Sequence, residues 1–183
     1  MPRLLFILFI ASLMACESNS NAPLDQVSAS FQQKRHDTAL DQTIQPLLNQ
    51  YFAVIGNLGE QDTANLQLHG SILIKLSDSL TKQQLSKDTI TQRNALQGLM
   101  NIQFEMEAIL LESTVGERIF GAQMLSLHWI EFLAAIGYQK QTIYIFSDSD
   151  GNQWMGLNKQ SMNPYQQNDP SKYNANQVLQ ELK

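Results

Sequence analysis

The chain has 183 residues, of which 43% are hydrophobic and 16% charged, a composition that supports a core and places it among globular rather than disordered proteins. Lys and Arg number 12 against 17 Asp and Glu, giving a formal net charge of -5 and a pI near 5.1. That balance supplies no basic field for nucleic acid, and the single cysteine, Cys16, excludes an intramolecular disulfide, a thiolate metal cluster and dithiol chemistry.

The N-terminus opens with one positive charge at Arg3 and then the apolar run LLFILFIASLMA over residues 4–15. A membrane span needs roughly 20 apolar residues and a secretory h-region about 7 to 15, so the length of this run predicts a signal peptide over residues 1–15. Leu13-Met14-Ala15-Cys16 sets an apolar and a small residue directly before a cysteine. This resembles the bacterial lipobox, which implies cleavage before Cys16 and lipidation of its thiol. Residues 16–40 are rich in Ser, Asn, Gln and charge, with Pro23 near the start, and read as the lipidated Cys and its tether.

A domain is expected over residues 41–183. Ile44, Leu48, Tyr51, Ile55 and Leu58 recur at steps of three and four, which predicts a helix capped by Thr43, with Pro46 in its first turn. A second helix opens at Asp62, a good N-cap, with Leu66, His69, Leu73, Leu76 and Leu80 on one stripe. A third, from Asp88 to Ser113, carries Leu99, Ile102, Met106 and Ile109. A fourth, from Glu117 to Ile136, is expected to turn Phe120, Met124, Leu127 and Ile130 inward and to stop at Gly137. Four such helices on short links predict a mainly α fold, an antiparallel four-helix bundle.

The pattern then changes. QTIYIFS at 141–147 is β-branched and aromatic, Asp148-Ser149-Asp150-Gly151 is a turn signature, and NQWMGL at 152–157 returns as a second strand. This predicts a C-terminal β-hairpin. Residues 176–182 are expected to add a short helix.

Tyr51-Phe52 in the first helix, the aromatic segment Trp129 to Tyr138, Trp154 in a strand and then Asn163-Pro164-Tyr165 resemble the bacterial family called domain of unknown function 3347, over residues 40–167. The resemblance implies a secreted or lipid-anchored protein, in some cases one that accompanies heavy-metal efflux components. Many members carry Cys-Pro-Met between the strand and the Trp, where this chain has Phe146-Ser147-Asp148. Copper binding through those soft ligands is therefore not carried over.

The chemistry-bearing residues are scattered. His36, His69 and His128 with seven methionines could in principle serve Cu(I), but His69, Met106 and Met124 lie on apolar stripes and read first as core residues. His128 stands three residues before Glu131, within reach of a surface hydrogen bond. No His-x-x-x-His or Glu-x-x-His pair occurs, so no metal site is assigned. Asp148 to Asn152 superficially suggests a Ca²⁺ loop, yet Gly151 comes too early and Lys159 stands where the closing Glu belongs, which favours a tight turn. The helix carboxylates Glu105, Glu107, Glu112, Glu117 and Glu131 read as solvated faces, and there is no G-x-S-x-G elbow, phosphate loop or dinucleotide fingerprint.

Trp154, Asn163, Pro164 and Tyr165 are the candidate partner surface, weighed against the plainer reading that they cover the end of the bundle. The expectation is a non-catalytic protein without cofactor. It would be held in the cell envelope by the lipid on Cys16 and bind another envelope protein but no nucleic acid. A periplasmic copper-binding accessory protein is the alternative, and would need His69 to face Met106 or Met124.

Overall fold

The computed structural model describes residues 38–159 and 163–165, and the backbone of 177–182. Cys16, the signal peptide expected over residues 1–15, His36 and most of the expected tether lie outside the described residues. Four helices follow in order, α1 (Thr38–Gly59), α2 (Thr63–Thr81), α3 (Thr89–Leu111) and α4 (Val115–Ile136), then strands β1 (Ile143–Ser147), β2 (Gln153–Gly156) and β3 (Gln177–Leu182). Each helix packs on the next, and the short links require successive helices to run antiparallel. The architecture is a four-helix bundle with a C-terminal β-hairpin.

Side-chain chemistry accounts for the helix starts. Asp62 accepts from Asn65 N, Asp88 from Thr91 N and Thr114 from Glu117 N, while Glu117 returns its own carboxylate to Thr114 and completes a capping box. Gly137 ends α4 in the left-handed region at φ 67°, a conformation that disfavours a Cβ. Gln92 secures the α2–α3 link, its Oε1 accepting from Leu85 N at 2.7 Å and Ser86 N at 2.8 Å while its Nε2 donates to Gln83 O at 3.1 Å.

Three features of the helices differ from the sequence reading. First, α1 begins at Thr38, inside the stretch read from sequence as tether, and Leu40 is buried. Thr43 is consequently not a cap; its Oγ1 donates back to Ala39 O at 2.9 Å, and Pro46 sits mid-helix, where it has no N–H for Gln42 O. Second, α2 buries Leu66, Gly70, Leu73, Ser77 and Leu80, whereas His69 and Leu76 sit at the edge of that stripe. Third, α4 is rotated about its axis from the expected orientation. It buries Ala122, Leu125, Ser126, Trp129, Phe132, Leu133 and Ile136 along with the expected Ile130. Phe120 and Leu127 are exposed, and Met124 is half-buried.

Packing between α3 and α4 explains that rotation. A Cβ at Gly98 would lie 2.4 Å from Phe132 Cδ2, and one at Gly121 would lie 2.7 Å from Ile109 Cγ1. These glycines let the two helices close on Phe132 and Ile109, which brings Trp129 into the core beside Tyr51 and turns Phe120 out.

The hairpin forms where expected. Phe146 and Trp154 are direct cross-strand partners and their rings stack at 5.7 Å. A third strand replaces the expected terminal helix. Residues 177–182 pair antiparallel with β1, giving the order β2-β1-β3 with a register shift between Ile145 and Phe146. The unpaired edge of β1 supplies the backbone partners that select an extended conformation there.

Candidate functional site

The four residues singled out from the sequence come together, but inside the protein. Trp154 is 0% exposed, Asn163 4% and Tyr165 7%, and Pro164 is buried as well. They therefore do not form the exposed partner surface expected of them. Asn-Pro shapes a turn whose purpose is internal. Asn163 Oδ1 accepts from Tyr165 N at 2.9 Å, and Asn163 Nδ2 donates to Asp148 Oδ2 at 3.1 Å. That turn delivers the Tyr165 ring edge-on to Trp154 at 6.0 Å.

At the end of that ring lies a buried hydroxyl cluster. Ser126 Oγ is 2.8 Å from Tyr51 Oη and 2.6 Å from Tyr165 Oη. Ser126 also reaches Ala122 O at 2.9 Å, Tyr165 Oη donates to Gln153 O at 3.0 Å, and Met155 N donates to Tyr51 Oη at 3.4 Å. The cluster joins α1, α4, β2 and the 163–165 turn at one point. Burial pushes the Tyr51 phenol up to about 12, against a smaller opposing effect of its Ser126 hydrogen bond. Tyr165 is raised too, by burial and then by its proximity to Tyr51. Raised phenol values keep both groups protonated, which suits structural hydrogen bonds and not general-base work.

Asp148 organises the hairpin turn. Its Oδ1 accepts from Asp150 N at 3.0 Å and Asn152 N at 2.9 Å, and its Oδ2 from Asn152 Nδ2 at 3.0 Å. Burial works to raise its carboxyl, but these bonds and that of Asn163 outweigh it and hold the group below its ordinary value. The tight turn expected over 148–151 is present, with Gly151 at φ 84°.

The two described imidazoles face oxygen atoms. His69 Nδ1 is 2.8 Å from Gln50 Oε1 on α1, while Met106 is fully buried against Gly70. His128 stands between two carboxylates, Nε2 3.6 Å from Glu105 and Nδ1 3.5 Å from Glu131. Among the described residues no group of three or more His, Cys, Asp and Glu is placed to hold a metal ion. A shallow pocket of about 110 Å³ opens beside the α1–α2 turn, lined by Asn57, Asp62, Leu66, Val115 and Arg118. Arg118 Nε is already committed to Glu112 O at 3.0 Å.

The surface feature that sequence reasoning missed lies on α3 and α4. Met100, Phe104 and Leu111 on α3 and Val115, Phe120 and Leu127 on α4 are exposed. On α4 the signal was in view but was assigned to the core. The helix is apolar enough in length and composition to cross a membrane, while only 44% of that stretch is buried, so periodicity could not say which side faces in.

Comparison of the chain with protein-family models, curated proteins and solved structures gives no match.

Proposed function

We propose that the protein is a non-catalytic envelope lipoprotein, anchored through lipid on Cys16, whose helical domain binds another protein. The observation that carries the reading is the dozen-residue apolar run ending in Leu13-Met14-Ala15-Cys16. The run is too short to span a bilayer, and the only cysteine stands where a lipidating signal peptidase would require it. The resemblance to the domain of unknown function 3347 family points to the same compartment, and burial of Trp154 and Asn163-Pro164-Tyr165 gives those shared residues a role in folding. Binding of a protein is supported by the exposed Met100, Phe104 and Leu111 on α3 and Phe120 and Leu127 on α4. The copper alternative finds less support, since His69 is engaged by Gln50 and Met106 is packed away from solvent.

The test is metabolic labelling with a clickable fatty acid in a bacterial host, followed by intact mass of the purified chain. The expected result is cleavage before Cys16, a mass increase for diacylglycerol plus an acyl chain, and loss of label with release from membranes in Cys16→Ser. Unlabelled wild type, or label that persists in Cys16→Ser, would overturn the anchoring.

A further inference from the structure

Met100, Phe104 and Leu111 follow one another at steps of four and seven. At about 100° per residue they fall within roughly 40° of each other, on the side of α3 opposite Leu99, Ile102, Met106 and Ile109. Phe120 and Leu127, seven apart, form a second ridge on α4. Two close approaches fix the relative level of the ridges. Glu105 is level with His128, and Ile109 with Gly121, so Phe104 stands near the level of Leu127 and Leu111 near that of Phe120. Phe104 and Phe120 are each 67% exposed and Leu111 is 84% exposed. Each helix of this hairpin therefore carries an apolar ridge open to solvent.

The charge around those ridges decides what can cover them. Residues 89–136 contain Glu105, Glu107, Glu112, Glu117 and Glu131 against Arg93 and Arg118. Glu107, Glu117 and Glu131 are exposed, as is Arg93 seven residues before Met100, whereas Arg118 is turned to the Glu112 carbonyl. A carboxylate rim repels anionic headgroups, and a second copy of the chain would bring like charge against like. A helix with an apolar side and a Lys- or Arg-rich side satisfies both parts of the surface.

We propose that the solvent face of α3 and α4 docks a cationic amphipathic helix of a partner protein, its apolar side on Phe104 and Phe120 and its basic residues on Glu107 and Glu131. The proposal rests on reading the domain as a protein-binding module, and it names where and with what chemistry.

The probe is a fluorescent helical peptide of Leu and Lys, with a Leu and Glu peptide of the same pattern beside it. The full chain is presented in zwitterionic-lipid nanodiscs, and empty discs are the blank. Anisotropy should show saturable binding of the Lys peptide that weakens with salt and exceeds the blank. Binding should fall about tenfold or more in Phe104→Ser/Phe120→Ser and several-fold in Glu107→Lys/Glu131→Lys, with the melting curve of both variants unchanged. A photo-crosslinker in the peptide should label α3 and α4. Equal binding of the Glu peptide, binding indifferent to both double variants, or discs in which two copies pair through Phe104 would each overturn the proposal. The mass of the same preparation reports lipid on Cys16 separately. A lipidated chain that ignores the peptide sinks the docking face alone, and an unlipidated chain that binds it sinks the anchor alone.

Discussion

Tyr51, Ser126 and Tyr165 each bring one hydroxyl hydrogen to a buried site that also offers the carbonyls of Ala122 and Gln153. A consistent assignment has Tyr51 donating to Ser126, Ser126 to Ala122 O and Tyr165 to Gln153 O, which uses every hydrogen. Tyr51→Phe removes one of these bonds and should lower the unfolding free energy in urea by about 1 to 2 kcal/mol. Ser126→Ala leaves the buried Tyr51 hydroxyl without its acceptor while Tyr165 keeps Gln153 O, and should cost more, about 2 to 3 kcal/mol; a neutral Ser126→Ala would show that Tyr51 does not depend on it. The alkaline limb follows from the same residues. The folded phenol of Tyr51 sits near 12 against an ordinary 10.0, so its contribution is fully present below about pH 10 and is lost as pH rises through about 12. Tyr138, raised to about 12 by burial and by the charge of Asp41, acts in the same direction. Stability measured against pH should therefore fall steeply on the alkaline side, and less so in Tyr51→Phe. None of this cluster was legible in the sequence, because Ser126 is 75 residues from Tyr51 and 39 from Tyr165 and its helix face was misassigned.

Helix α1 tolerates Pro46 at an exposed mid-helix position, where the ring opposes the preceding turn and no N–H is available for Gln42 O. Pro46→Ala restores that bond and should raise the melting temperature, with a gain of about 1 to 3 kcal/mol; a loss would mean that the surrounding turn is built around the kink. The opposite outcome is expected for Gly98. Alanine there meets Phe132 at 2.4 Å, the close approach that orients α4. Gly98→Ala should cost about 1 to 3 kcal/mol and quench the fluorescence change of Trp129 on unfolding, whose ring lies 5.7 Å from Phe132. At this scale, Asp62, Asp88 and Gly137 marked helix ends correctly because capping is local chemistry, whereas the Thr114 cap starts α4 at Val115, ahead of the expected Glu117. Thr43 misled for the same reason: a good cap residue before a proline looks like a start, and only the buried Leu40 reveals a helix already under way.

Among the described residues, Met155 N of β2 donates to Tyr51 Oη of α1, and the α4–β1 link is tied to α1 by Tyr138 Oη donating to Gln45 at 2.6 Å and Gln139 N donating to Asp41 at 3.1 Å. β1 is the central strand and depends on β3 for half of its pairing. Removing residues 177–183 should leave β1 with an open edge, lower the melting temperature by several degrees and induce concentration-dependent self-association in sedimentation, while the helical circular dichroism persists. The chain alone determined the existence and order of four helices and a hairpin, their caps and turn, and the cysteine that suits a lipid anchor, since all of these depend on neighbours within about four residues or on composition. The tertiary structure decided the face that α4 turns inward, the strand at 177–182, the burial of Trp154 and Tyr165 and the apolar face left on α3 and α4. Each of those depends on partners distant in sequence, and a helix apolar on most sides carries no local record of which side its partners will take.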